Sequence, residues 1–146
     1  MSEKLSNEIL LASQEKGNLL NKAIEIDPHF AWAYYHSIHH YSSLNHKDST
    51  ELRWKETMKR LGQLTTARQY QVKARWYAYY KEMPNKAIKI YQDWGSFSPD
   101  NIDPFLQLGS LYETDGNYKK ALEQYNQVFR IDPNYKHIHN YFAAIY

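Results

Sequence analysis

A period of about 34 residues recurs along the chain and limits its fold more than any other feature of the sequence. The pairs at this spacing are Ala87 and Ala121, Tyr91 and Tyr125, and Pro99 and Pro133. Pro28 precedes Pro99 by two periods plus three further positions, so one unit carries a three-residue insertion. Repeats of about 20–50 residues are typical of solenoids, in which each unit buries its apolar face against the next.

The clearest unit spans residues 102–135, and its pattern predicts two antiparallel helices. In the first helix, residues at i, i+3, i+4 and i+7 share one apolar face: Phe105, Leu108, Gly109 and Tyr112. We expect Asp103 to cap this helix and Gly116 to end it in the left-handed conformation. The second helix has its own apolar side, and Pro133 is expected to end it.

This pattern resembles the tetratricopeptide repeat, W-x2-L-G-x2-Y…A-x3-F…P. The matching residues are Phe105, Leu108, Gly109, Tyr112, Ala121, Tyr125 and Pro133. The resemblance implies an all-α, right-handed solenoid of antiparallel helix hairpins, with about seven helices. The segment 27–34, followed by an irregular repeat, resembles more specifically the tetratricopeptide regions of bacterial multidomain signalling proteins.

The period divides a single predicted domain, residues 1–146, into a half repeat, three repeats and a second half repeat. These units are 4–30, 31–67, 68–101, 102–135 and 136–146. Since the chain begins and ends inside repeats, we expect it to be a fragment of a longer protein. In the second unit, residues 48–51 read as a capping box that opens a helix. In the third, Arg75 stands at the glycine position and Ala78 at the tyrosine position.

Composition and motifs argue against catalysis. The chain has no cysteine, which excludes a disulfide scaffold and a cysteine nucleophile. It also lacks a phosphate-binding glycine loop and a Gly-x-Ser-x-Gly motif. No apolar run is long enough for a signal-peptide core or a membrane span. We therefore expect a non-enzymatic cytoplasmic protein that needs no cofactor.

The resemblance also implies which residues would contact a partner, because the first helices of such hairpins line a concave groove. The residues carried over are Trp32, Tyr35 and His39 in the second unit, Gln69, Val72, Trp76 and Tyr79 in the third, and Leu106, Ser110 and Glu113 in the fourth. Two alternatives stay open: some of these residues pack between repeats, or the register is off by one in the inserted unit. One subgroup of the family binds the C-terminal carboxylates of chaperone tails through Lys and Asn side chains on successive first helices. This chain has no such residues at the corresponding positions.

Charge is concentrated in the middle of the chain. Residues 53–89 have a net charge of +8, whereas the segments before and after them have −3 each. Between Arg68 and Lys81, cations alternate with aromatic residues. That pattern fits a solvated basic helix face, a surface for an acidic peptide, or a site for single-stranded nucleic acid.

The densest histidine cluster consists of His36, His39 and His40. His36 and His40 have the i, i+4 spacing that can hold a metal, but no third ligand follows at a telling distance. We expect these histidines to be solvated or hydrogen-bonded.

The sequence thus predicts a non-catalytic protein-interaction module that binds a peptide or partner domain in the groove. The basic segment adds the hypothesis that this partner is acidic. The alternatives are a spacer that self-associates through its terminal half repeats and, less favoured, a nucleic-acid-binding helical repeat.

Overall fold

The computed structural model describes the backbone of residues 3–145 and the side chains of residues 11–143. All regular structure in this part of the chain is helical. The helices are α1 (Glu3–Ile26), α2 (Ala31–Ser43), α3 (Lys47–Lys59), α4 (Thr66–Arg75), α5 (Pro84–Phe97), α6 (Ile102–Thr114), α7 (Tyr118–Ile131) and α8 (Ile138–Ile145). The all-α prediction is confirmed, and the described residues form eight α-helices where the sequence predicts about seven.

The helices fall into two compact units, residues 1–65 and residues 66–146, called here the N-terminal and C-terminal units. The N-terminal unit contains α1 to α3. The C-terminal unit contains α4 to α8 and a core built around Ala87, Tyr91, Trp94, Leu108 and Tyr125.

The α6–α7 hairpin is held by a close helix crossing at Gly109. A Cβ atom added there would collide with the ring of Tyr125, which is fully buried. The Tyr125 hydroxyl donates a hydrogen bond to the Glu113 carboxylate at 2.8 Å, and its ring stacks on Tyr141 of α8 with centroids 4.7 Å apart. Burial and then Glu113 raise the pKa of this phenol far above its ordinary value.

Left-handed residues end the first helix of each hairpin and mark the repeat. They are Asn45, Glu82 and Gly116, with φ of 58°, 51° and 75°. Glu82 precedes Gly116 by one period, and Asn45 precedes Glu82 by one period plus the three-residue insertion. Gly116 therefore ends α6 as predicted.

Two predicted helix caps are wrong by a few residues. The cap of α6 is Asn101, whose side chain accepts from the Asp103 amide at 2.9 Å, so the helix starts before Asp103. The capping box at residues 48–51 does not form, because α3 already begins at Lys47 and its N-cap, His46, makes no side-chain hydrogen bond. Thr50 lies inside the helix and donates to the His46 carbonyl at 2.8 Å.

A π-helical turn, Trp76–Tyr80, continues α4 and is called here the π segment. The Lys81 amide donates to the Trp76 carbonyl at 2.9 Å, five residues back, which is the π-helical pattern. The connection between α3 and α4, residues 60–65, is two residues longer than that between α5 and α6, residues 98–101. One inserted residue in the π segment and two in this connection account for the three-residue insertion.

The N-terminal unit is joined by a polar network across its three helices. Asn21 of α1 and the Tyr41 hydroxyl of α2 exchange hydrogen bonds of 3.1 and 3.2 Å. Arg53 of α3 donates to the Asn21 carbonyl oxygen at 2.9 Å, and its guanidinium lies 5.3 Å from the Tyr41 ring centroid. Burial would raise the Tyr41 pKa, but the hydrogen bonds and the charge of Arg53 bring it below its ordinary value.

We expect Gly109→Ala to lower the free energy of unfolding of the C-terminal unit by about 1–3 kcal/mol, the usual cost of overpacking a core. The Tyr125 ring cannot move aside without losing its bond to Glu113 and its stack on Tyr141. The change would be measured by urea denaturation followed by circular dichroism.

The control for adding a methyl group is Gly62→Ala in the N-terminal unit, because a Cβ at Gly62 would meet nothing within 4 Å. It should change stability by less than about 0.5 kcal/mol. Equal effects of the two substitutions would contradict the close-crossing argument.

Candidate partner-binding surface

Cations and aromatic rings come together at the end of α4. The rings of Trp76 and Tyr80 stack with centroids 4.3 Å apart, and the Lys81 ammonium lies 5.0 and 5.1 Å from the two centroids. The Arg75 guanidinium lies 5.9 Å from the ring of Tyr79. These five residues are called here the ring–cation cluster. Each distance is within reach of a cation–π attraction.

The cluster lies largely at the surface. No residue of the π segment is buried, and Tyr79 has 59% of its surface exposed. Lys81 is exposed, whereas Arg75, Trp76 and Tyr80 are half-buried. Single-turn π segments occur frequently at functional sites, and exposed aromatic residues serve as anchors in interfaces.

The π segment shifts the register of the third unit by one residue. The Met83 amide donates a hydrogen bond to the Tyr77 carbonyl, and the Asn117 amide donates one to the Tyr112 carbonyl, each at 2.8 Å. Met83 and Asn117 are one period apart in the sequence, whereas Tyr77 and Tyr112 are separated by one period plus one residue. The ammonium groups of Lys86 and Lys120, again one period apart, lie 5.3 and 5.4 Å from the same two rings. Tyr77, not Ala78, therefore holds the tyrosine position of this unit.

The same shift applies to α4. Ala74, fully buried, precedes Gly109 by one period plus one residue and takes its place as the small core residue. The equivalents of Asp103, Leu106 and Ser110 are then Arg68, Gln71 and Arg75. The uninterrupted period used in the sequence analysis selects Gln69, Val72 and Trp76 instead, one residue later in each case.

Burial sorts the predicted contact residues of the C-terminal unit. Val72 has no exposed surface and offers nothing to a partner, which corrects that assignment. Glu113 is half-buried and bound to the core hydroxyl of Tyr125. The remaining candidates have accessible surface: Gln69, Trp76 and Leu106 are half-buried, and Tyr79 and Ser110 are exposed.

The predicted residues of the N-terminal unit lie on α2. Trp32 is half-buried and stacks on Tyr35 with centroids 4.9 Å apart. Tyr35 has 8% of its surface exposed and meets the ring of Trp54 at 6.2 Å. His39 is exposed. Tyr35 thus contributes mainly to packing, and Trp32 and His39 retain surface for contact.

Sequence reasoning left Tyr80 out of the contact set and assigned Lys81 only to a basic stretch. Both belong to the cluster because the π segment brings residues 76, 80 and 81 together. The sequence does contain one sign of the inserted residue: Arg75, a charged residue, stands one period before Gly109, where the repeat requires a small residue.

The histidine cluster holds one buried member. His40 has 8% of its surface exposed and packs on the backbone of Gly17, where a Cβ would strike the imidazole. Ser13 lies 3.5 Å from its Nδ1 atom. Burial, then the charges of Lys16 and His46, lower the His40 pKa. His36 and His39 are exposed, and no group of three metal-binding side chains occurs among the described residues.

The family model of the tetratricopeptide repeat matches residues 102–135, so the resemblance of this unit is confirmed. The BBSome complex member BBS4 of Bos taurus is 44% identical over 55 residues, which take in 37% of this chain and 11% of BBS4. The chain therefore spans about a tenth of the length of that relative.

Solved structures agree with the fold. MamA superimposes with a TM-score of 0.60 and 17% identity, over all of this chain and 84% of MamA. YrrB, described as a TPR protein with an unusual peptide-binding site, has a TM-score of 0.56 and 16% identity, over 95% of this chain and 70% of YrrB. At these identities the likeness establishes the fold alone. Among the described residues no helix is long and apolar enough to cross a membrane.

We expect the N-terminal unit to lose stability as the pH falls below about 6.5, the ordinary pKa of histidine. The folded state disfavours protonated His40, so the unfolded state binds more protons in this range. The stabilisation is fully present above pH 6.5 and decreases by at most about 1.4 kcal/mol per pH unit below it.

Thermal unfolding between pH 5 and 8 would measure this dependence. His40→Gln should flatten it, whereas His39→Gln, at an exposed position of the same helix, should leave it unchanged. A pH dependence that survives in His40→Gln would assign it to other groups.

Proposed function

We propose that this chain, whose residues 102–135 form a tetratricopeptide repeat, is a non-catalytic protein-interaction module. Its C-terminal unit binds a segment of a partner protein on the surface formed by α4 and the π segment. A role within a cytoplasmic signalling protein belongs to the same proposal and rests on the sequence resemblance.

The observation that carries this proposal is the exposure of the π segment. Four of its five residues are aromatic, and all five keep accessible surface, although Tyr77 and Ala78 also pack against the core. Exposing large rings to water is unfavourable, and a partner that covered them would recover that free energy. Tyrosine and tryptophan also lose little side-chain freedom on binding, which makes them effective anchors.

The similar proteins support the class of function. YrrB is described as having a peptide-binding site, and BBS4 is a member of a protein complex. Both involve contact with other polypeptides, which agrees with a binding role for this chain. Leu106 and Ser110 of α6 extend the proposed surface with accessible apolar and polar groups.

The surface of the N-terminal unit is a separate part of the proposal. Trp32 and His39 would contact a partner from α2, with Tyr35 holding Trp32 by stacking. Trp32→Ala tests this part independently, because it alters no residue of the C-terminal unit.

We expect Tyr79→Ala to weaken partner binding at least about tenfold, since loss of a buried aromatic anchor commonly costs about 2 kcal/mol or more. Proteins retained from a lysate of the source cells by the wild-type chain would be identified, and their affinity measured by calorimetry. Trp76→Ala combined with Tyr79→Ala should abolish retention.

The matched control is Tyr118→Ala, which removes an equally exposed tyrosine from α7 of the same unit: 51% of Tyr118 is exposed, against 59% of Tyr79. Circular dichroism would check that every variant keeps its helices. If Tyr79→Ala and Tyr118→Ala bind the retained protein as tightly as the wild type does, the π segment is not the contact surface.

A further inference from the structure

We propose that the bound segment of the partner is acidic and that its carboxylates lie on the ring–cation cluster, with Lys81 as the central contact. This inference rests on the proposed function and adds the chemistry of the ligand to it.

Charge at this surface supports an anionic occupant. Residues 66–89 contain six Lys and Arg residues against one acidic residue, Glu82. Lys89 pairs with Asp93 at 3.2 Å, but Lys73, Lys81 and Lys86 form no ion pair with a carboxylate of the described residues. In α3, by contrast, Lys55 and Lys59 each pair with a glutamate of the same helix.

The cations of the cluster are held in position before a ligand arrives. Lys81 lies over two stacked rings and Arg75 over a third, at 5.0–5.9 Å from the centroids. A long flexible side chain ordinarily loses much of its rotamer freedom when it binds an anion. Because the rings already restrict these two side chains, less of that cost remains at the moment of binding.

The register shift extends the basic surface along α4. Arg68 and Arg75 occupy the positions that Asp103 and Ser110 hold in the next repeat, seven residues apart on one helix. At about 1.5 Å per residue, that spacing is about 10 Å, close to one turn of a polyproline II peptide, which rises about 9 Å over three residues and returns its side chains to the same side. Acidic side chains three positions apart in the partner would therefore meet both arginines.

The ring faces argue for a peptide and against single-stranded nucleic acid. Bases bind to such proteins by stacking on open aromatic faces. Here Trp76 and Tyr80 stack on each other, and Lys81 and Arg75 lie against the rings of the cluster. The Lys81 side chain is exposed, whereas the stacked rings of Trp76 and Tyr80 are half-buried, an arrangement suited to carboxylates.

The test uses three fluorescent probes at low salt: a peptide of about twelve residues with glutamate at every third position, the period of a polyproline II helix, the same peptide with glutamine, and oligo(dT). We expect the whole chain to bind the glutamate peptide at least about tenfold more tightly than the glutamine peptide, with an affinity that falls as salt rises. Lys81→Glu should lose this preference, and Lys81→Arg should retain it.

Lys119→Glu is the control for net charge, because it reverses another exposed lysine of the same unit and should change the affinity less than about twofold. Circular dichroism would verify the fold of each variant. Equal binding of the two peptides, no binding of the glutamate peptide, or retention of the preference in Lys81→Glu would overturn the inference.

Tighter binding of oligo(dT) than of the glutamate peptide would overturn it in favour of nucleic acid. Concentration-dependent light scattering that disappears in Lys81→Glu would overturn it in favour of a second copy of the chain. Failure of this inference is distinguishable from failure of the proposed function, which requires only that the retained partner bind the wild type at least about tenfold more tightly than it binds Tyr79→Ala.

Discussion

The close approach of paired helices is the constraint on which the rest of the structure depends. In the α6–α7 hairpin, Gly109 leaves room for the Tyr125 ring, and the hydrogen bond to Glu113 and the stack on Tyr141 fix that ring from two further sides. In the N-terminal unit, Gly17 admits the imidazole of His40 in the same way. Because a large ring fills the space of an absent side chain, the helices cannot slide without a clash or a void, either of which costs about 1–3 kcal/mol or more.

A second interaction, centred on a tyrosine of α2 or α6, occurs in both units and connects successive helices. Tyr41 and Tyr112 each bond through the hydroxyl to an amide side chain twenty residues earlier, Asn21 and Gln92. Each ring also lies beneath a cation from the following helix, Arg53 or Lys120, at 5.3–5.4 Å. One tyrosine thereby connects three consecutive helices, which explains why an aromatic residue with a polar end is used at this position.

The period predicted most of the fold because it records contacts that every hairpin must make. The helix α5 begins at Pro84 and ends at Phe97, and a proline start and an apolar stripe determine these bounds locally. The choice of Asn101 over Asp103 as a cap was not predictable, because both residue types cap helices and one 2.9 Å hydrogen bond decides between them. The site could be predicted only in part: Tyr79 is exposed, but Val72 is buried, because a single inserted residue changes which side of α4 faces the core.

That inserted residue reconciles two requirements that an uninterrupted α-helix could not meet together. Tyr77 holds the tyrosine position after the insertion, and Ala74 holds the small-residue position before it. Without the extra residue, α4 would turn by about 100°, and Arg75 would replace Ala74 in the core. A guanidinium buried in that apolar core would cost several kcal/mol, far more than the poorer hydrogen-bond geometry of one π turn. The π segment is therefore the feature that allows a basic, aromatic surface to coexist with a tightly packed hairpin.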